Sequence, residues 1–266
     1  MTTDAQPRFA PGTFTPAPGR GKLGRMLLAH ARVEASLTLR HGEQILLTLL
    51  IPMALLIGLS LLNILPAADL GSTSKTDWVT PRILALAVMS SAFTGQAIAL
   101  GFDRRYGVLK RLSTTALPPW LLVAGRVVAA LVVVTLQAIA LGVVAALLGW
   151  SPSSGGLAVG VVFLLVGTLS FGALGVLLGG SLRAEAVLAL ANMIWFVLLL
   201  AGGILFAPSS LPTGADNVVK LLPSGALAEG LRSALVDGTF AWGPLGVLAV
   251  WAVAAGALAT RTTKLT

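Results

Sequence analysis

The chain has 266 residues, 56% of them hydrophobic and only 11% charged, with a mean hydropathy of +0.92. An ordinary globular domain carries about a quarter charged residues, so this chain lacks the material for a water-facing surface, and an all-α integral membrane protein is the expected class. The net charge of +8 would point to nucleic acid in a soluble protein. In a membrane protein it has a simpler origin, since Lys and Arg gather on cytoplasmic loops, and no nucleic-acid partner is expected. The absence of Cys excludes disulfides and thiolate chemistry. With His30 and His41 as the only histidines, no metal site is expected.

Residues 1–22 hold Pro7, Pro11, Pro16 and Pro18 among glycines, without an apolar run, and read as a disordered cytoplasmic tail rather than a signal peptide. Residues 23–42 form an amphipathic pattern, with Lys22, Arg25, Arg32, Ser36 and Arg40 opposite Leu23, Met26, Leu27, Val33 and Leu37. Such a helix is expected to lie in the inner interface. His30, Glu34 and His41 project onto its apolar stripe, either to touch another element or to snorkel.

Residues 43–266 read as one transmembrane domain of six spans, near residues 45–65, 83–101, 121–149, 157–179, 186–206 and 243–260. With both termini in the cytoplasm, all but Lys75, Arg82, Lys220 and Arg232 of the 18 lysines and arginines fall on the inner side. Trp78, Trp120, Trp150 and Trp242 then fall at span ends, where amphipathic rings favour the interface. The fourth span carries Gly156/Gly160 and Gly175/Gly179, spacings that allow close helix approach within or between protomers. Before the last span, Pro208, Pro212 and Pro223 punctuate two apolar pieces over residues 216–222 and 224–235. Too short to span and too apolar for plain loop, they read as re-entrant or interfacial helices.

The chemistry available is narrow. No phosphate-binding G-x-x-x-x-G-K-[ST] loop occurs, so no nucleotide is expected on this chain, and no catalytic residues or cofactors of its own are expected. The polar residues within spans are Asn63, Gln96, Gln137 and Asn192, which either line a substrate path or hydrogen-bond between helices. The inner link Phe102–Trp120 surrounds Tyr106, Val108, Leu109 and Leu112 with Arg104, Arg105, Lys110 and Arg111 and ends at Pro118-Pro119. This reads as a short basic amphipathic helix whose apolar residues want a partner surface. A channel or membrane scaffold that works without ATP is the alternative to a driven transporter.

At these residues the chain resembles the permease subunits of ABC-2 type exporters, especially the daunorubicin-resistance-like drug permeases. The run Asp103-Arg104-Arg105-Tyr106-Gly107-Val108-Leu109-Lys110-Arg111-Leu112 looks like the family's coupling helix, with Arg105 where the family often has Glu. Thr115-Ala116-Leu117 departs from the family's Thr-Pro-Leu, whereas Pro212, Pro223 and Leu231-Arg232 match its outer pattern. The resemblance implies a bacterial plasma-membrane permease that exports a hydrophobic or amphipathic compound (a drug, polyketide or lipid), with antibiotic efflux as a family habit. It implies two copies of a separate ABC ATPase subunit carrying ATP and Mg and docking on Phe102–Leu117. It also implies a second permease chain, as homodimer or heterodimer, and an outer gate at Pro212, Pro223 and Arg232.

Overall fold

A computed structural model describes residues 21–40, 42–62, 73–114, 118–204 and 215–262, and among these every regular element is helical. The expected tail up to residue 20, together with His41, Asn63, Thr115-Ala116-Leu117 and Pro212, lies outside the described residues. Helices α1 (Leu23–Arg40) and α2 (Gly42–Leu61) come first. Helix then runs unbroken from Lys75 to Arg105 in three parts: α3 (Lys75–Val88), a π-helical segment (Met89–Gly95) and α4 (Gln96–Arg105). After α5 (Val108–Ser113) follow α6 (Pro119–Leu147), α7 (Ser154–Ser181) and α8 (Ala184–Ala201). The chain closes with α9 (Ala215–Leu221), α10 (Pro223–Leu235) and α11 (Trp242–Thr262).

Among the described residues, five stretches are long and apolar enough to cross a membrane: Lys75–Arg105, Trp120–Leu147, Ser154–Ser181, Ala184–Ala201 and Trp242–Arg261. The first expected span, near residues 45–65, corresponds to α2, of which Thr48–Leu61 is an apolar helix shorter than a full crossing.

The second span departs from expectation at its start. Its helix begins at Lys75, not near Ile83, because the Ser74 hydroxyl accepts from the Asp77 N–H (3.1 Å) and caps the first turn. Arg82, expected in an outer loop, is therefore two turns inside a helix and only 5% exposed. Its guanidinium lies 3.7 Å above the Trp78 ring and donates to the Trp78 carbonyl at 2.8 Å. The polar turn Thr76–Arg82 tolerates this depth because protein, not lipid, surrounds it: every α3 residue from Trp78 to Val88 is buried. Trp78 and Trp150 are likewise buried in protein, whereas Trp120 and Trp242 remain exposed as interfacial rings would be.

The glycine-rich α7 is the centre of the bundle and contacts α4, α6, α10, α11 and the π-helical segment. Its glycines serve two faces of one protomer. Toward its N-terminal end, a Cβ at Gly160 or Gly167 would meet Leu235 at 2.8 Å or Leu227 at 2.6 Å, both on α10. Toward its C-terminal end, a Cβ at Gly175 would stand 2.6 Å from the Phe93 carbonyl oxygen and 2.9 Å from that of Ala92. Close approach of helix backbones substitutes here for the hydrophobic drive that lipid removes.

Helix α10 is buried along almost its whole length against α3, α7 and α11. At about 1.5 Å per residue its 13 residues reach roughly 20 Å, short of the ~30 Å hydrocarbon core. The two short pieces expected before the last span thus form helices, and the second one sits inside the bundle. Substituting Gly175→Ala, whose Cβ has only backbone to push against, should lower stability by about 2–3 kcal/mol. Gly155→Ala, with no atom within 4 Å of its Cβ, should leave it unchanged. Thermal unfolding of the two variants in detergent reads the difference.

Candidate functional site

Gln96 and Gln137, two of the polar residues of the spans, meet at the π-helical segment. Small polar side chains at Ser90, Ser91 and Thr94 accompany the widened turn there, and π-turns of this kind recur at functional sites. The Ser91 hydroxyl donates to Gln137 Oε1 (2.7 Å) on α6, whose Nε2 donates to the Thr48 hydroxyl (3.1 Å) on α2. One residue earlier, Ser90 Oγ accepts from the Trp195 indole on α8 at 3.0 Å. Three helices are thus tied to one turn in the middle of a span.

A cleft of about 440 Å³ opens beside this turn, lined at one end by Thr48, Ser91 and Gln96 and at the other by Glu34, Asp103, Arg126 and Tyr106. From Ser91 to Asp103 the helix rises about 18 Å. Of the path residues read from sequence, Gln96 lines the cleft, and Gln137 stands behind it through Ser91. Asn192 is elsewhere, on the exposed face of α8, where its amide donates to the Leu188 carbonyl (2.8 Å).

The end of the cleft toward α1 is held by charge. Arg126, on the first turns of α6, is only 1% exposed. It hydrogen-bonds the Asp103 carboxylate of α4 and lies 3.5 Å from Glu34 of α1. His30 stands one turn before Glu34, Nε2 to carboxylate 3.8 Å, with its ring against Gly125, where a Cβ would overlap it. Of the two roles open to His30 and Glu34, the protein contact holds. The face of α1 turned to α6 carries His30, Ala31 and Glu34, while Leu28, Val33 and Leu37 are left exposed. In the sequence Arg126 is one among the basic residues counted to the inner side. The usable signal was that a lone arginine in a 29-residue apolar helix needs carboxylates, and few acids are within reach.

Beside this end, the expected single coupling helix is an elbow. Helix α4 runs on to Arg105, Tyr106 and Gly107 turn, and α5 starts at Val108. Gly107 takes the turn at φ +72°, the left-handed region that its missing Cβ permits. The four apolar residues divide. Leu109 is buried with Leu100, Leu122, Val123, Val176 and Ala259, and Leu112 packs against the same cluster. Tyr106 is 69% exposed, though its ring stacks on Phe102, and Val108 is exposed with Lys110 and Arg111. The surface left for a partner is therefore smaller than the sequence pattern indicates. Arg105 pairs with Glu185, and Arg104 donates to the Leu182 carbonyl (3.0 Å), fastening the elbow to the α7–α8 junction.

On the opposite side, Pro223 is the first residue of α10 and is buried. Arg232 is bidentate to Glu229 (2.9 and 2.7 Å) and 2.9 Å from Asp237. The hydrogen bonds to Glu229 raise the Arg232 pKa further above its ordinary value, against the opposing effect of burial.

A multi-pass helical bundle with a buried arginine paired to carboxylates at one end, an ion-paired arginine at the other and a polar cleft at mid-span fits a transport permease domain. The family model for ABC-2 type transporters matches residues 27–236, from within α1 to the end of α10, and the chain belongs to that family. No curated protein matches the chain.

Replacing Arg126 with Met should cost about 3 kcal/mol or more, because Glu34 and Asp103 then share a low-dielectric corner without a cation. Adding Glu34→Gln and Asp103→Asn to that variant should restore part of the loss. A thermal-unfolding cycle over the wild type, Arg126→Met, Glu34→Gln with Asp103→Asn, and the triple variant measures the coupling.

Proposed function

We propose that this chain is the permease subunit of an ABC exporter that moves a hydrophobic or amphipathic compound out of a bacterial cell. A separate ABC ATPase subunit, present twice, drives a pair of permease chains, and ATP and Mg reside on the ATPase. In this reading α2 completes a set of six spans, both termini are cytoplasmic, and α1 lies along the inner interface. The elbow at Phe102–Ser113 is the ATPase contact. Amphipathic drugs, polyketides and lipids suit a cleft that offers hydroxyls and one amide at mid-span and Glu34, Asp103 and Arg126 at its α1 end, between apolar walls.

The single observation that carries this reading is the division of the elbow. Tyr106 and Val108 face outward, while Leu109, one turn on, is seated among α4, α6, α7 and α11. A push on the exposed tip is delivered by Leu109 to the helices that wall the cleft, in the manner of a rigid element with two packings. Asp103 and Arg126 carry the same displacement to α1. On the far side, this reading assigns an outer gate to Pro223 and the Arg232 cluster.

Pull-down of the tagged chain from its native membrane in mild detergent should bring down a stoichiometric ATPase. Tyr106→Ala with Val108→Asp should abolish that recovery while the chain stays folded. Leu109→Ala should instead lower thermal stability by about 2 kcal/mol or more. An intact preparation without any ATPase would favour a channel or scaffold.

A further inference from the structure

The flank of the elbow that faces away from the polar cleft bounds a second recess, of about 470 Å³, between α4–α5 and the α7–α8 junction. Arg104, Arg105, Lys110 and Arg183 line it against one carboxylate, Glu185. Glu185 is committed to Arg105, and Arg104 is bonded to carbonyls, which leave its charge uncompensated. The Arg183 side chain makes no hydrogen bond or ion pair among the described residues. Behind these cations, the first amides of α8 have no side-chain cap, which adds a favourable dipole to the same recess.

Depth narrows the ligand. Helix α8 has 18 residues, about 27 Å at 1.5 Å per residue, close to the ~30 Å hydrocarbon thickness. Its first residue, Ala184, therefore lies at the hydrocarbon boundary, where phospholipid phosphates begin. We infer that this recess binds an anionic phosphate group, that of a phospholipid headgroup in the inner leaflet. The inference shares with the reading above only the assignment of this end to the inner side, and it requires no ATPase. A headgroup here touches Arg104, Arg105 and Lys110 on the elbow and Arg183 beyond the junction. It therefore bridges the two elements that the Arg105–Glu185 pair already joins.

The test is lipid retention by the purified full-length chain in mild detergent, read by native mass spectrometry without ATP or ATPase. Phosphatidylglycerol and phosphatidylcholine of identical acyl chains are the probes, and inorganic phosphate is the soluble competitor. Phosphatidylglycerol should be retained about tenfold better, and Arg183→Gln or Lys110→Gln should each cut that preference about fivefold. Glu185→Gln should raise it, an opposite shift that misfolding does not produce. Arg40→Gln, an exposed cation at the end of α1, should leave it unchanged. Equal retention of the two lipids with no effect of phosphate overturns the proposal. So does a loss in Arg40→Gln as large as that in Arg183→Gln, which would show diffuse surface charge. Saturable phosphate binding that Arg183→Gln removes, without any lipid preference, overturns the lipid assignment and gives the site to a soluble phosphate. The presence or absence of an ATPase in the pull-down changes none of these outcomes.

Discussion

Backbone-to-backbone approach at α7 is the constraint on which the bundle rests. Lipid is as apolar as leucine, so helices in a bilayer gain little from burying apolar side chains against one another and depend on contact distance and interhelical hydrogen bonds. Gly175 lets the carbonyls of Ala92 and Phe93 come against α7, which fixes the π-helical turn. That turn in turn presents Ser91 to Gln137 and Ser90 to Trp195. The polar cleft is thus downstream of glycines that do not line it. On the other face, Gly160 and Gly167 accept Leu235 and Leu227 and hold α10 inside the bundle.

Charge is placed where this packing already excludes lipid. Arg82 rests on Trp78 within a wholly protein-lined stretch of α3, and Arg126 is enclosed by Asp103 and Glu34. Both obey the same rule, that an ionised group at depth needs a partner; Arg82 finds its partner one turn back in its own helix, whereas Arg126 marks a junction between elements. For Arg126 the junction joins α1, α4 and α6, three helices far apart in sequence. That corner also borders the cleft, so the group that fixes α1 in place shapes the cleft's charged end.

Much of this was legible in the sequence, for identifiable reasons. Long apolar runs announced α6, α7, α8 and α11, because a bilayer demands continuous hydropathy over a known length. Prolines bounded α9 and α10 well, since Pro223 cannot continue a preceding helix and readily begins the next. What hydropathy misplaced was the start of α3, where Thr76, Asp77 and Arg82 look like loop until their protein surroundings are known. The elbow was found, but its division was not, because periodicity identifies an apolar residue without saying whose surface it meets. Leu109 and Tyr106 look equivalent in the sequence, and in the fold they face opposite ways. The pairing of Arg126 with Glu34 and Asp103 was likewise invisible to local patterns, being a contact between residues 23 and 92 positions apart.

The seating of α10 has a consequence for biogenesis. A helix of 13 residues is too short for stable insertion across lipid by itself, and its buried ends need protein around them. Two of its walls, α3 and α7, are synthesised before it, but the third, α11, emerges only afterwards. Until α11 is made, α10 has only α3 and α7 of its three walls to pack against, and its third side is open. The last span acts as the closing step of assembly, and a nascent chain halted before Trp242 would expose a half-seated helix to quality control.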